Sequence, residues 1–263
     1  MPDTITYRSY LRLPDLLDCQ HPLSDAHDEL LFIAIHQASE IWLKLALHEL
    51  HAARALVAAD DLRPAFKMMT RVARIQEQMI RSWEVLATMT PADYTKMRGK
   101  LGTSSGFQSD QYREIEFMLG NKDAAMVEIH ADDPPTHARL KMRLAQPSLY
   151  DEALRLLARR GFDIPAGVTQ RDFTLPYAAS PEVERAWAAV YADTDRYWDL
   201  YELAEKLVDI EYHVQLWRFG HLKTVERVIG FKTGTGGTAG VQYLAKVLEK
   251  AFFPELLSVR TAL

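Results

Sequence analysis

The 263-residue chain contains one cysteine, Cys19. That scarcity excludes an internal disulfide framework, Cys-rich zinc sites and iron–sulfur clusters, and makes a reducing, cytoplasmic setting the expectation. Glycine is sparse as well, 12 residues, which lies below the roughly 7% of an average protein and argues against a turn-rich all-β chain. No uninterrupted apolar run approaches the ~18 residues of a membrane-crossing helix, and the opening Met-Pro-Asp-Thr-Ile-Thr has no basic segment followed by an apolar one, so no signal peptide is expected there. Charge of one sign is missing too. The 31 Lys and Arg against 36 Asp and Glu leave −5, scattered along the chain, so neither nucleic acid nor an anionic membrane is an expected partner.

What is present reads as helix. Hydrophobic residues at 48% and charged residues at 25% are ordinary for a globular protein, and almost every long window repeats its apolar positions at three and four residues, hardly any at two. Ser24 and Asp25 are candidate N-caps for a long helix over about 26–59, apolar on most faces and therefore central. A second helix begins near Pro64 and carries Phe66, Met69, Val72, Ile80, Trp83 and Leu86 on one side. Thr90-Pro91-Ala-Asp93 combines an N-cap, a first-turn proline and an acid three residues on, opening a short helix to about Lys100 with Tyr94 and Arg98 on one face. A small-residue loop, 102–106, precedes an amphipathic helix ended by Gly120. Prolines and glycines break residues 121–180 into shorter helices, read as a peripheral helical subdomain of a single domain over 1–263. From about Asp195 to Ile229 an unbroken stripe follows, through Leu200, Leu203, Leu207, Ile210, Val214, Trp217, His221, Thr224 and Val228, and Gly230 ends it. The fold class expected is all-α, a helical bundle.

Two histidines interrupt apolar stripes: His221 after Trp217, and His36 among Phe32, Ser39, Leu43 and Leu50. A buried imidazole needs a partner, since an unsatisfied one costs on the order of 1–3 kcal/mol. That partner is either a backbone carbonyl or neighbouring acid, as in many cores, or a metal or haem iron, and the stripes alone leave both open. Spacing removes some metal sites: His48-Glu49-Leu-His51 is not H-E-x-x-H, and no Glu-x-x-His occurs. A dispersed two-His-one-carboxylate iron site and a single axial histidine to haem both survive. The run Gly234-Thr-Gly-Gly-Thr-Ala239 matches G-x-G-x-x-A but follows a long helix rather than a strand, so it reads as a loop whose hydroxyls and N–H groups can meet a polar ligand, not as a dinucleotide fingerprint. Arg98 beside Tyr94 suits a carboxylate, or is a surface arginine. Trp83 and Phe32 are core aromatics or the walls of a flat ligand.

Taken in register, Tyr7-Arg-Ser-Tyr10-Leu11, Phe32-Ile-Ala-Ile-His36-Gln37, Trp42-Leu-Lys-Leu45, Ser104-Ser-Gly-Phe-Gln-Ser109, Gln215-Leu-Trp-Arg-Phe-Gly-His221, Gly230-Phe-Lys-Thr-Gly-Thr-Gly-Gly237 and Phe253-Pro-Glu-Leu256 resemble the tryptophan 2,3-dioxygenase family across nearly the whole chain. The resemblance implies an all-helical homotetramer, a dimer of dimers, with one haem b per subunit, ferrous in the active form. Its substrates would be L-tryptophan and O2, and its product N-formyl-L-kynurenine, the first step of tryptophan catabolism by the kynurenine pathway. It implies His221 as the iron's ligand and His36 as the acceptor of the indole N–H. Arg98 and Tyr94 would take the substrate carboxylate, and Thr235 with a haem propionate its ammonium. Phe32 and Leu101 would pack on the indole, while Trp83, Ser105 and Gly106 would line the haem edge or the amino-acid end. Tyr7, Tyr10 and Leu11 would reach a neighbouring subunit's pocket. The related indoleamine dioxygenases lack the distal histidine, so His36 favours the tryptophan-specific family. A haem sensor without turnover, a cofactor-free helical scaffold and a non-haem iron dioxygenase are the alternatives.

Overall fold

Helix-starting and helix-stopping chemistry accounts for several of the element boundaries. The computed structural model describes residues 4–235, 237 and 240–262, and among them fourteen α-helices, one 3-10 turn and no strand occur. In chain order these are α1 (Tyr7–Tyr10), α2 (Leu13–Leu17), α3 (Glu29–Ala58), α4 (Leu62–Leu86), α5 (Pro91–Arg98), the 3-10 turn Gly106–Gln108, α6 (Asp110–Leu119), α7 (Ala125–Glu128), α8 (Pro134–Leu144), α9 (Leu149–Arg159), α10 (Ala166–Thr169), α11 (Pro181–Ala192), α12 (Trp198–Ile229), α13 (Val241–Leu248) and α14 (Pro254–Ala262). The all-α expectation holds. At α5, Thr90 and Asp93 form the expected reciprocal cap. Gly230 follows α12 at φ 61, ψ −139, a backbone region open to glycine and closed to side-chain-bearing residues.

α3 begins three residues later than Asp25 and Ser24 suggest. Ser24 is diverted from capping: the buried Glu29 carboxylate accepts from the backbone N–H of Leu23 and of Ser24, each at 2.8 Å, and from the Ser24 hydroxyl. The Ser24 bond is the main reason that the Glu29 carboxyl lies below its ordinary value. By length and a mean hydropathy of 1.4, α3 could cross a membrane. Only 17% of that apolar stretch is buried within the chain. The second half of α3, through Leu43, Leu47, Leu50, Ala53 and Val57, sits in the core, and the first half supplies one wall of a cavity.

α3 packs along α4, and α4 along α12, and these three long helices form the frame. Their shared core takes in Leu50, Met69, Val72, Ile75, Leu203, Leu207 and Ile210, each worth about 1.5–3 kcal/mol when fully buried. Within 121–180 the helices divide. α7 and α8 close over Phe117 in a small separate cluster with Val127, Leu140 and Leu144, whereas α9 inserts Leu149, Tyr150, Leu154 and Leu157 into the main core. A third cluster, Leu86, Met89 and Met97 with Phe32, Ile35, Trp83 and Tyr94 packed against it, joins the start of α3 to the end of α4. α1 and α2 bury no residue.

Candidate active site

The two stripe-breaking histidines lie on the walls of one cavity. His36 sits in the first half of α3, one turn beyond Phe32, and its Nδ1 lies 2.7 Å from the Phe32 carbonyl oxygen. A carbonyl only accepts, so in the neutral ring Nδ1 carries the proton and Nε2 is left as an acceptor. Burial pushes His36 below its ordinary value, which favours that neutral form. The Phe32 ring, 4.2 Å away and tilted by 38°, fixes the imidazole from the side.

His221 stands in the second half of α12, stacked on Trp83 at 4.8 Å with 5° between the planes, and Trp217 lies 5.6 Å away. This stack exists because residue 220 is glycine: a Cβ there would lie 2.8 Å from Trp83 Cδ1. Among the described residues no hydrogen bond engages the His221 ring, and burial pushes its imidazole down to about 4. Among those residues the His221 ring has neither the carbonyl nor the acid that the core-histidine reading asks for. That reading holds in part for His36, whose Nδ1 has the carbonyl.

The cavity measures about 610 Å³, within the ~300–1,000 Å³ of small-molecule sites. Of the residues singled out from the sequence, Phe32, His36, Trp83, Tyr94, Ser105, Gly106, His221 and Thr235 line it. Arg98 lies instead in an adjoining groove of about 480 Å³, bordered by Thr95, Gly99, Gly102, Gly234 and Thr235. There its guanidinium donates to the Thr233 carbonyl at 2.7 Å, and the Thr235 hydroxyl donates to the Ser104 carbonyl at 2.6 Å. Leu101 borders neither space; its N–H closes the turn after α5 on the Arg98 carbonyl. Tyr7, Tyr10 and Leu11 are exposed, away from the cavity of their own chain. Of the loop expected to meet a ligand, Gly236, Thr238 and Ala239 fall outside the described residues. Arg113, Tyr112 and Tyr243 also line the cavity, and nothing in the periodicity points to them. α6 is buried from Arg113 through Leu119, so it has no solvent face against which an inward arginine would stand out.

Family comparison joins these observations. The family model described as tryptophan 2,3-dioxygenase matches residues 2–143 and 140–263. A relative of that name in Erythrobacter litoralis is 62% identical over 263 residues, covering 100% of both chains. One from Bradyrhizobium sp. strain BTAi1 is 60% identical over 259 residues, 98% of this chain and 93% of the relative. Another, from Bacillus cereus, is 56% identical over 261 residues, 99% and 94% of the two chains. The chain belongs to the tryptophan 2,3-dioxygenase family.

The haem that this family implies fits the donors present. No group of three His, Cys, Asp or Glu side chains able to hold a metal occurs among the described residues, so the two-His-one-carboxylate alternative lacks its ligands. A porphyrin brings four nitrogens of its own and asks the protein for one axial donor, and His221 is a neutral imidazole with no other partner. Around it Leu43, Leu86, Val225, Val228, Leu244 and Val247 give an apolar lining. The indole Nε1 of Trp83 is buried without a hydrogen-bond partner among the described residues, an orphan donor of the kind that a bound polar group satisfies.

Proposed function

We propose that this chain is a haem-dependent dioxygenase that inserts O2 across the indole C2–C3 bond of L-tryptophan, giving N-formyl-L-kynurenine, the opening step of tryptophan breakdown. Family membership supports the reaction class, and one local observation carries the residue assignment: the Nδ1 proton of His36 is committed to the Phe32 carbonyl, which leaves Nε2 as a fixed acceptor inside the cavity. The indole of tryptophan has one N–H, a donor only, and His36 Nε2 is its complement.

Haem held by His221 would supply the iron centre at which dioxygen is activated. The protein's own part is placement. Phe32 and the apolar walls exclude water and take the flat face of the indole, and His36 sets its rotation by one hydrogen bond. At the amino-acid end, Arg98 exchanges its Thr233 carbonyl for the substrate carboxylate, a charge-assisted and stronger partner. Tyr94 adds a hydroxyl beside it, and burial raises that phenol's pKa, so it remains a donor. Thr235, already aimed at Ser104, takes the ammonium. Holding both reactants in a near-attack arrangement supplies much of the rate. His36 orients the substrate and is not required to remove a proton.

Tyr7, Tyr10 and Leu11, exposed by 77%, 75% and 41% in the single chain, complete a neighbour's pocket in a homotetramer in this reading. The chain works as one domain in the cytoplasm, where the free Cys19 stays reduced. The test is a comparison of L-tryptophan with its N1-methyl analogue on haem-loaded wild type and His36→Ala. Wild type should prefer L-tryptophan by about tenfold, one hydrogen bond's worth, while His36→Ala turns over slowly and prefers neither. A variant that keeps the full preference, or one with haem retained and no turnover at all, contradicts the assignment.

A further inference from the structure

Three carboxylates line the cavity and each is matched: Glu40 accepts from Gln111 Nε2 at 2.7 Å, Asp110 pairs with Arg139, and Glu116 is held by Arg113 and Arg218 together. Glu116 is thus one anion between two guanidiniums, Arg113 at 6% and Arg218 at 3% exposure. Arg218 is fully used. It donates to Glu116 at 3.1 Å, to the Tyr112 hydroxyl at 3.3 Å, and to the Val247 and Lys250 carbonyls at 3.3 and 3.1 Å. Arg113 is not. Its guanidinium lies 4.9 Å from the ring centres of Phe107 and Tyr112 and pairs with Glu116 through one nitrogen, while its Nε is buried with no partner among the described residues.

Two buried guanidiniums sharing one carboxylate leave part of the positive charge unmatched, which is unfavourable away from water, and Arg113 lines a cavity into which a second anion can come. We infer that Arg113 binds a carboxylate of the haem. The inference rests on the haem reading above. Two carboxylate-bearing ligands enter this cavity in that reading, and permanence separates them: a resident cofactor neutralises Arg113 throughout, whereas substrate would leave the charge bare after every turnover. Arg98, half-exposed and able to fall back on the Thr233 carbonyl, is suited to the ligand that comes and goes.

The experiment titrates apo-protein with iron protoporphyrin IX and with its dimethyl ester, following tryptophan fluorescence and the Soret band, for wild type, Arg113→Gln and Arg113→Lys. Glu116 keeps Arg218 and Asn121 on its Oε1, so both variants retain a paired carboxylate; apo melting curves check folding, and Arg113→Lys carries the test if Arg113→Gln does not fold. Wild type should prefer the free acid by about tenfold or more, the worth of a charge-assisted hydrogen bond. Arg113→Gln should lose about tenfold of that preference, and Arg113→Lys, which keeps the charge, should hold most of it. An unchanged preference in Arg113→Gln overturns the inference. So does a variant whose haem preference is intact while its affinity for L-tryptophan drops, because the charge would then serve the substrate. Wild type binding neither porphyrin would instead refute the haem reading itself.

Discussion

Gly220→Ala isolates the contact that orients the His221 ring. The added Cβ would lie 2.8 Å from Trp83 Cδ1, about 0.6 Å inside ordinary contact, and Trp83 has little room to yield because His221 stacks on it at 4.8 Å and Trp217 stands 5.4 Å away. Two effects compete. Alanine improves a helix interior by roughly 1 kcal/mol over glycine, and overpacking of a filled site costs about 1–3 kcal/mol. The contact should win, giving apo-protein up to about 2 kcal/mol less stable with a displaced Trp83. Haem affinity falls with it, because the imidazole loses its flat support. Urea denaturation gives the first number and a haem titration the second. Trp83→Ala should reverse the sign, since Gly220→Ala placed in that background no longer meets the Cδ1 and Cγ atoms it would strike and gains the helix term. If Gly220→Ala alone stabilised the protein by about 1 kcal/mol and bound haem normally, the idea that glycine is needed here to admit Trp83 would be wrong.

Other outcomes follow from the same geometry. His221→Ala should bind haem far more weakly than wild type while keeping wild-type helicity by circular dichroism, because it removes the imidazole assigned to the iron; normal haem affinity would assign the ligand elsewhere, His36 of the same cavity first. Arg98→Ala should raise the L-tryptophan concentration needed for half-saturation by about ten- to a hundredfold, the worth of a hydrogen bond to a charged group, with haem content unchanged; an unaltered saturation curve would remove Arg98 from the substrate site. Lys122, buried and donating to the Leu144 and Gln146 carbonyls at 3.0 and 2.6 Å, is pushed by burial from 10.5 to about 8. Between those values the unfolded chain holds more protons than the folded one, so stability should rise from pH 8 to 10.5 by on the order of 3 kcal/mol from this group. Lys122→Met should flatten that slope in urea titrations, and a slope equal to wild type would show that the amine is not confined as described.

The frame of the fold was legible because long helices announce themselves by period and punctuation: Pro64, the Thr90/Asp93 pair, Gly120 and Gly230 all mark ends that the structure keeps. Local rules failed where a side chain served a distant need. Ser24 reads as a cap until Glu29 is seen to require its hydroxyl. α9 reads as one of several short peripheral helices, yet its apolar side enters the main core, a fact of tertiary placement that spacing does not carry. The site divides along the same line. His36 and His221 are visible as polar breaks in apolar stripes, whereas Arg113 is hidden because α6 is buried on every side, and Gly220 looks like any helical glycine until Trp83 is placed against it. Arg98, singled out by its place beside Tyr94, and Leu101, carried over by resemblance, lie outside the main cavity in this single chain.

The most direct test mixes purified, haem-loaded and reduced protein with oxygenated L-tryptophan and follows the Soret band together with the product by absorbance and mass. The expected product is N-formyl-L-kynurenine, heavier than tryptophan by both atoms of one O2 when labelled dioxygen is used, and dependent on bound haem. Haem bound through His221 with tryptophan left unchanged would contradict that expectation and make the protein a haem carrier or sensor.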